Sequence, residues 1–215
     1  MNEELILDAV EARVIGVLVE KSLTTPDQYP LTVNAATSGC NQKSNRNPVL
    51  DLADSQVQGA LEKLMVRGYA GLVHAAGGRT DRYRHNLGEH LSIDKRQLAL
   101  MATLLLRGPQ TRGELRTHSQ RMAKFDDQGA VADASQDLLQ GGLIKRISPA
   151  RGSRSERFVQ LLSPDLHPLD EAPASATPSP ESPATPGLAQ RVTNLEETVR
   201  TLTEQLRDLK EQLGA

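Results

Sequence analysis

The 215-residue sequence predicts a mainly α-helical protein of the α+β class, with two similar folded units, a proline-rich linker and a C-terminal coiled-coil helix. Three observations support this prediction: an approximate internal repeat before residue 163, a change of composition at residue 164, and a heptad pattern of apolar residues from residue 188 onward. We place the first unit at residues 1–90, the second at 91–163, the linker at 164–187 and the coiled-coil helix at 188–213.

Apolar residues at helical spacing predict the first two helices of each unit. They span residues 5–22 and 31–39 in the first unit, and residues 94–107 and 111–119 in the second. Thr111 and Glu114 have the spacing of a capping box, in which each side chain bonds the backbone N–H of the other residue. The last of these helices is therefore expected to start at Thr111.

The third helix of each unit carries the clearest repeat. The matching residues are Val57, Ala60, Leu64 and Gly68 in the first unit and Val131, Ala134, Leu138 and Gly142 in the second. Each helix ends at a glycine that suits a left-handed cap, and two short β-type segments follow around a turn rich in Gly and Arg. Three helices followed by a two-stranded hairpin is the element order of a winged helix, so the sequence predicts two tandem winged-helix domains.

The composition changes sharply at residue 164. The segment 164–187 contains seven prolines among Ala, Ser and Thr residues, with four acidic residues and no basic residue. Such a segment can bury no apolar face and lacks a backbone donor at every proline, which predicts a disordered linker. The alternative is an ordered loop that packs on a domain.

The residues after the linker follow a strict heptad pattern. Valine at two a positions and leucine at the d positions favour a parallel two-stranded coiled coil. The expected dimerisation residues are Leu188, Val192, Leu195, Val199, Leu202, Leu206, Leu209 and Leu213. The sequence therefore predicts a homodimer, and the alternative is a single amphipathic helix that folds back on the globular part.

The overall charge does not by itself indicate nucleic-acid binding. The chain has 25 basic and 27 acidic residues, a formal net charge of -2 and a pI near 6.2. Residues 91–163, however, carry 12 basic and 7 acidic side chains, whereas the linker carries 4 acidic side chains and no basic one. The average thus hides a basic second unit beside an acidic linker.

No motif in the sequence indicates catalysis, a cofactor or a membrane span. The five histidines are scattered, no glycine-rich phosphate loop is present, and the single cysteine, Cys40, excludes a disulfide within the chain or a zinc site of several thiolates. Cys40 is expected to be buried and unreactive. No run of about 18 apolar residues occurs, so we expect a non-enzymatic, soluble, cytoplasmic protein without a cofactor.

A winged helix usually contacts DNA with its third helix in the major groove and its hairpin along the phosphates. Gln56 and Lys63 lie opposite the apolar stripe of the first unit's third helix, where they can contact DNA or be ordinary solvated residues. Asp54 and Ser55 are expected to cap this helix. The corresponding helix of the second unit carries Asp133 and Asp137 on its exposed face, and these carboxylates would repel DNA.

The hairpins and one loop supply the remaining candidates for phosphate binding. Basic hairpins can follow a phosphate backbone, and the same residues can instead serve solubility and form salt bridges to Asp81 and Glu156. The hairpin candidates are Arg79, Arg82, Arg84, Lys145, Arg146, Arg151, Arg154 and Arg157. We add Lys43 and Arg46, in the loop before the third helix, because positive charge in a turn contributes little to packing.

Several motifs resemble those of a known family. They are EARVIG at 11–16, TTPDQYP at 24–30, NQKSNR at 41–46, YRH at 83–85, GPQTRGELR at 108–116 and RMxxF at 121–125. Together they resemble the YceH-like bacterial proteins over roughly residues 5–165. The resemblance implies a tandem winged-helix fold. Because the role of that family is uncharacterised, it implies no catalytic or binding residues.

The residues and the resemblance together predict a non-enzymatic homodimer that binds double-stranded DNA or regulates transcription. The alternative is a protein-interaction scaffold, in which the winged helices bind partner proteins and the acidic helix of the second unit is an interface. Neither function involves a membrane.

Overall fold

The computed structural model describes residues 6–74, 80–149 and 155–168. These residues belong to one compact unit that spans residues 1–170. The predicted coiled-coil helix with its dimerisation residues, most of the predicted linker, and the candidates Arg79, Arg151 and Arg154 lie outside the described residues.

The architecture is mixed α/β. The helices are α1 (Ala9–Thr24), α2 (Val33–Cys40), α3 (Asp54–Val66), α4 (Leu87–Leu91), α5 (Lys95–Arg107), α6 (Arg112–Ser119) and α7 (Gln128–Gln140), with a 3-10 turn at Pro26–Gln28. The strands are β1 (Ala70–Val73), β2 (Arg82–His85), β3 (Gln110–Thr111), β4 (Ile144–Ile147) and β5 (Arg157–Gln160). Among these described helices, none combines the length and the apolar character that crossing a membrane requires.

Side-chain caps fix the starts of several helices. Asp8 caps α1, Asp94 caps α5 and Asp127 caps α7, each by accepting from backbone N–H groups of the first turn. Thr111 caps α6, and the Glu114 carboxylate accepts the Thr111 backbone N–H at 2.8 Å. The predicted capping box is therefore confirmed.

α3 and α7 end in the same way. Gly68 and Gly142 follow these helices with φ of 77° and 67°, in the left-handed region that glycine adopts without a steric penalty. The next residue, Tyr69 or Leu143, donates its backbone N–H to the carbonyl five positions earlier, at 2.8 Å and 3.0 Å respectively. The left-handed caps predicted for both helices are confirmed.

A small antiparallel hairpin follows each of these caps. β1 pairs with β2, and β4 pairs with β5. The second strand of each hairpin also pairs with the chain before the second helix of its unit: Tyr83 on β2 bridges Leu31, and β5 pairs with β3, which gives the strand order β3-β5-β4. Tyr83 and Phe158 are buried beneath the two hairpins. Each hairpin is thus fixed to its unit along its second strand.

The two units share one aliphatic core. α1 packs against α2 and α3 of the first unit and against α5 of the second. Where α1 meets α5, a Cβ on Gly16 would lie only 3.0 Å from Leu106 Cδ2, so glycine allows the close approach. Burial of the aliphatic side chains along this contact stabilises the fold by about 25 cal/mol per Å² of apolar surface.

The packed body extends past the predicted boundary at residue 163. Leu166 and His167 fall within the predicted linker, and they are only 3% and 6% exposed. Leu166 joins the common core because the chain folds back onto the body after β5 and can bury this apolar side chain there.

Candidate nucleic-acid interface

The first hairpin presents Arg84 to solvent. Arg84 is exposed on β2, where it lies opposite Gly71 of β1. In the described part of the chain, no carboxylate lies within 4 Å of Arg84. Arg82 is half-buried and donates to the Pro30 carbonyl at 2.9 Å, so it holds the hairpin to the body.

Neutral side chains anchor the base of this hairpin. The Tyr29 hydroxyl accepts the His85 backbone N–H at 2.5 Å, and the His85 Nε2 lies 2.9 Å from the Ser22 hydroxyl on α1. Burial lowers the pKa of His85 and raises the pKa of Tyr29 to about 12. Both side chains are therefore neutral near pH 7, so no charge on either residue is needed to anchor β2 at that pH.

The second hairpin presents Lys145 and Arg146. Both side chains are exposed on β4, and Arg146 donates to the Gln136 side chain at 3.2 Å. Neither cation has a carboxylate within 4 Å in the ranges that the structure describes. Arg157 on β5 is half-buried and donates to the Ser148 carbonyl at 3.5 Å, so it serves the hairpin itself.

The alternative salt bridges from the hairpin cations to Asp81 and Glu156 do not form between described residues. Asp81 pairs with His74, at 3.2 Å between carboxylate and ring nitrogen. Glu156 forms no ion pair with any cation in residues 6–74, 80–149 or 155–168. Among the described residues, neither Asp81 nor Glu156 therefore forms an ion pair with Arg84, Lys145 or Arg146.

Gln56 on α3 is used to start its own helix. Its side-chain oxygen accepts the Ala53 backbone N–H at 2.9 Å, and Ala53 is the N-cap residue. The prediction that Asp54 and Ser55 cap this helix is therefore wrong. Ala53 has no side-chain acceptor for the first N–H groups of α3, and the Gln56 amide oxygen satisfies only the backbone N–H of Ala53 itself.

Lys63 on α3 also has a partner within the chain. Its ammonium lies 3.0 Å from the Asp8 carboxylate, and this contact raises the pKa of Lys63. Glu62 is exposed next to it and accepts from the Gln58 amide at 2.8 Å. The outer face of α3 therefore presents carboxylates beside its one lysine, which makes it a weaker site for a polyanion than the hairpins.

The loop between α2 and α3 separates the two cations predicted there. Lys43 is exposed, whereas the Arg46 side chain is fully buried. The Arg46 guanidinium lies 2.6 Å from the Glu20 carboxylate and donates through Nε to the Gly39 carbonyl at 3.0 Å. A phosphate cannot reach this guanidinium. The argument that charge in this turn contributes little to packing is wrong for Arg46, because this residue is the counterion of Glu20.

Arg13 is a buried cation that the sequence analysis did not select. It is 0% exposed on α1 and donates to the Cys40 carbonyl at 3.2 Å and to the Pro48 carbonyl at 2.6 Å. These two bonds hold the end of α2 and the middle of the α2–α3 loop to α1. The signal in the sequence is a single arginine within the apolar stretch of α1.

Cys40 is buried beside Arg13. Burial raises the pKa of the thiol to about 12 despite the neighbouring guanidinium, so the thiolate is not formed near pH 7. The prediction that Cys40 is buried is confirmed.

α7 carries an acidic face, as its sequence indicated. Asp133 and Asp137 are exposed, and Asp126, just before the helix, lies 3.2 Å from the Lys124 ammonium and 3.7 Å from the Arg96 guanidinium. This surface repels DNA phosphates and attracts cationic groups.

A cleft of about 710 Å³ lies between α3, α4 and α7. One wall contains Val66, which is 89% exposed, and the other contains Asp137. Arg67 lies on the first wall, 3.2 Å from the Glu11 carboxylate and 5.1 Å from the centre of the Tyr69 ring. Among the described residues, no group of three His, Cys, Asp or Glu side chains is arranged to hold a metal ion, here or elsewhere.

Two helix-and-hairpin units around a shared aliphatic core, with exposed cations on both hairpins, define a small mixed α/β protein. Comparison with known proteins gives its family: residues 7–169 match the family described as "Protein of unknown function, DUF480", and the chain belongs to that family. This membership agrees with the family resemblance that the motifs predicted.

Relatives of this family match most of the chain. The UPF0502 protein of Geotalea uraniireducens (strain Rf4) is 45% identical over 202 residues, which cover 91% of this chain and 90% of the relative. The UPF0502 protein of Xanthomonas campestris pv. campestris (strain B100) is 44% identical over 92% of this chain and 89% of its own length. That of Stenotrophomonas maltophilia (strain K279a) is 44% identical over 92% of this chain and 91% of its own length.

Proposed function

We propose that this protein is a non-enzymatic DNA-binding protein that regulates transcription, with tandem winged-helix domains at residues 1–90 and 91–163. One observation carries the proposal. In both units a hairpin follows three helices, α1–α3 or α5–α7, and exposes cations that have no carboxylate within 4 Å among the described residues. This is the placement of charge that a winged helix uses on a phosphate backbone.

The hairpins are suited to phosphate binding by their rigidity as well as their charge. Arg84, Lys145 and Arg146 stand on strands whose inner side is anchored by Tyr83 or Phe158, so only the side chains need to be ordered on binding. Cations that replace the counterions of DNA release them, which favours binding independently of sequence. Arg79, Arg151 and Arg154 join the proposal by their positions in the sequence, next to these strands.

α3 and its preceding loop have a smaller share in the proposed interface. Gln56 and Lys63 would each have to leave a partner, the Ala53 N–H or the Asp8 carboxylate, before contacting DNA. Lys43 is exposed and is kept as a phosphate ligand, whereas the buried Arg46 is removed from the set.

Binding of duplex DNA tests the proposal. Fluorescence anisotropy with a mixed-sequence duplex at about 50 mM salt is expected to show saturable binding by the full chain, because phosphate contacts are strongest at low salt. The triple variant Arg84→Ala, Lys145→Ala, Arg146→Ala is expected to bind more weakly. A matched control removes three exposed cations outside the hairpins, Lys95, Arg121 and Lys124.

Circular dichroism checks that both variants are folded. The proposal is contradicted if the full chain does not bind at low salt, or if the hairpin variant and the control lose the same affinity. The second result would mean that net charge alone, and not the hairpins, attracts the duplex.

Homodimerisation through the heptad residues is part of the same proposal. Leu195→Glu and Leu202→Glu place charges at two d positions of the predicted coiled coil, where a charge in an apolar seam opposes association. Sedimentation velocity of the full chain is expected to show a dimer for the original sequence and a monomer for the double variant. A dimer that persists in the variant would assign association to another surface.

A protein-interaction scaffold is the second candidate function. The acidic face of α7 and the adjacent cleft with its exposed Val66 favour it, because both fit a basic, partly apolar partner surface better than DNA. Absence of duplex binding at low salt, together with capture of a defined partner that is lost on Asp133→Ala and Val66→Ser, would favour the scaffold over the DNA-binding protein.

A further inference from the structure

The segment after β5 crosses from the second unit onto the first. Residues 161–168, which we call the C-terminal strap, bury Leu162 and Leu166 in the common core. The Leu162 carbonyl accepts the Leu7 backbone N–H at 2.6 Å, just before α1. The strap therefore ties β5 to the start of α1.

His167 closes the far end of the strap. Its Nε2 lies 2.5 Å from the Asn47 carbonyl, in the loop before α3. Its ring occupies the space above Gly108, where a Cβ would lie 2.8 Å from the His167 Cδ2. Asn47 is itself held to α5, because its backbone N–H donates to the Leu106 carbonyl at 2.8 Å. One imidazole thus joins the strap, the α2–α3 loop and the end of α5.

The partner of Nε2 fixes the protonation state of this ring. A carbonyl oxygen can only accept, so Nε2 carries the proton and Nδ1 is the unprotonated nitrogen of a neutral imidazole. Nδ1 is buried and has no hydrogen-bond partner among the residues that the structure describes. A second proton on the ring would therefore create a buried cation whose new N–H has no acceptor.

The charges around the ring oppose that cation. Arg13 faces it from α1, and His167 lies within 4 Å of no carboxylate in the described ranges. The loop contributes Arg46, which Glu20 neutralises, and α5 contributes Arg107, which donates to the Asn45 side chain; Asp165 is an exposed acid on the strap itself. Burial and then Arg13 lower the pKa of His167, while the hydrogen bond to Asn47 partly opposes this.

We propose that the C-terminal strap is a proton-sensitive latch: with His167 neutral it closes over the α2–α3 loop, and a proton on Nδ1 releases it. The inference does not depend on DNA binding. Release exposes the imidazole to water and frees the α2–α3 loop, which positions α3. Acidification would therefore detach residues 161–168 from the α2–α3 loop.

The pH window follows from linkage. The pKa of His167 is lowered below 6.5 in the closed state and returns toward 6.5 when the strap opens, so the open state binds the proton more tightly. The contribution of neutral His167 to the stability of the closed strap is fully present above pH 6.5, and it is lost as the pH falls through the lowered pKa. Between pH 6.5 and the lowered pKa, the equilibrium constant for opening is expected to rise roughly tenfold for each unit by which the pH falls.

Nuclear magnetic resonance on the full chain tests the latch. In the original sequence, the ring nitrogens of His167 are expected to titrate below pH 6.5, and the Leu7 and Gly108 backbone amides are expected to shift with the same midpoint. The matched variant is His167→Gln, because its side-chain amide can donate to the Asn47 carbonyl and does not titrate. His85 and His118, whose pKa values burial also lowers, remain in both proteins and cancel in the comparison.

In His167→Gln, the Leu7 and Gly108 amides are expected to be unchanged between pH 7.5 and 5. The latch is ruled out if these amides shift equally in both proteins, or if His167 titrates at or above pH 6.5. Should the variant fail to fold, the original sequence still decides the matter: an Nδ1-protonated neutral ring, or a titration of His167 that leaves Leu7 unmoved, would overturn the proposal.

Discussion

The two helix-and-hairpin units use their charges in opposite ways, although their elements occur in the same order. In the first unit, Arg13 and Arg46 are buried and hold the long loop before α3. In the second unit, the shorter segment between α6 and α7 contains no buried cation; Asp127 caps α7, and the exposed residue Asp126 gives its carbonyl to Arg116 at 3.1 Å. The backbone pattern repeats, and the electrostatic pattern does not.

This difference shows where charge is available for binding. A guanidinium that completes a buried network cannot reach a phosphate, and the cations of the first unit's loop and α3 are largely engaged within the chain. The exposed carboxylates Asp133 and Asp137 make α7 an electrostatically unfavourable surface for a phosphate backbone. The hairpins are the surface that both units present with free positive charge among the described residues, at Arg84, Lys145 and Arg146.

The largest expected effect comes from the buried ion pair. Arg46→Ala removes the guanidinium that donates to the Glu20 carboxylate and the Gly39 carbonyl, and leaves Glu20 only the longer contact to Lys21 at 3.6 Å. We expect the free energy of unfolding to fall by about 3 kcal/mol, at the lower end for a broken buried pair because Glu20 can partly hydrate. Urea denaturation measures the change. Lys43→Ala, in the same loop but exposed, is the control and is expected to change stability by less than about 0.5 kcal/mol.

Equal losses in Arg46→Ala and Lys43→Ala would contradict the contrast between the units, because Arg46 would then behave as a surface residue.

The left-handed caps test what the two units share, because both units use the same glycine cap after their third helix. Gly68→Ala and Gly142→Ala are each expected to lower stability by about 1–2 kcal/mol through backbone strain. A Cβ would meet nothing within 4 Å at Gly142 and only an ordinary contact, at 3.5 Å, at Gly68, so the two losses should agree. Gly59→Ala, inside α3 with open space around it, should instead raise stability by about 0.8–1 kcal/mol.

Thermal denaturation of these three variants measures whether the change in stability depends on the left-handed backbone conformation of the substituted glycine. A loss at Gly59, or losses at Gly68 and Gly142 that differ severalfold, would show that the two units are not built on the same cap.

A smaller effect is expected from the N-caps of the equivalent helices. Asp127→Ala removes the cap of α7 and should lower stability by about 1 kcal/mol, whereas Ala53→Ser adds a side-chain acceptor at the start of α3 and should raise it by about the same amount. Chemical denaturation of both variants gives the two signs. If Ala53→Ser is neutral or destabilising, the missing side-chain cap of α3 has no cost, and the expected difference between the starts of α3 and α7 is wrong.

The sequence predicts the backbone of this protein better than its interface, and particular residues show why. Gly68, Gly142 and the Thr111–Glu114 box are local signals, because the conformation they require depends on neighbouring residues. Arg46 is not local: its partner Glu20 lies 26 residues away on α1, and no spacing rule distinguishes it from the exposed Lys43 three positions earlier.

The same limit applies to the end of the body. Proline composition favoured a linker from residue 164, yet His167 is buried by a contact with Asn47, 120 residues earlier in the chain. Composition measures what a segment can bury on average, and one histidine and one leucine are enough to extend the packed body beyond the point where the average changes.

The salt dependence of duplex binding tests the central claim, that the hairpins are the phosphate-binding surface, most directly. The slope of log affinity against log salt reports the number of phosphate contacts, at about 0.9 per contact for B-form DNA. We predict that Arg84→Ala reduces the magnitude of this slope by about 0.9, and that Lys145→Ala with Arg146→Ala reduces it by about 1.8, while the Lys95→Ala control leaves it unchanged. Slopes for both hairpin variants equal to that of the original sequence would contradict the account.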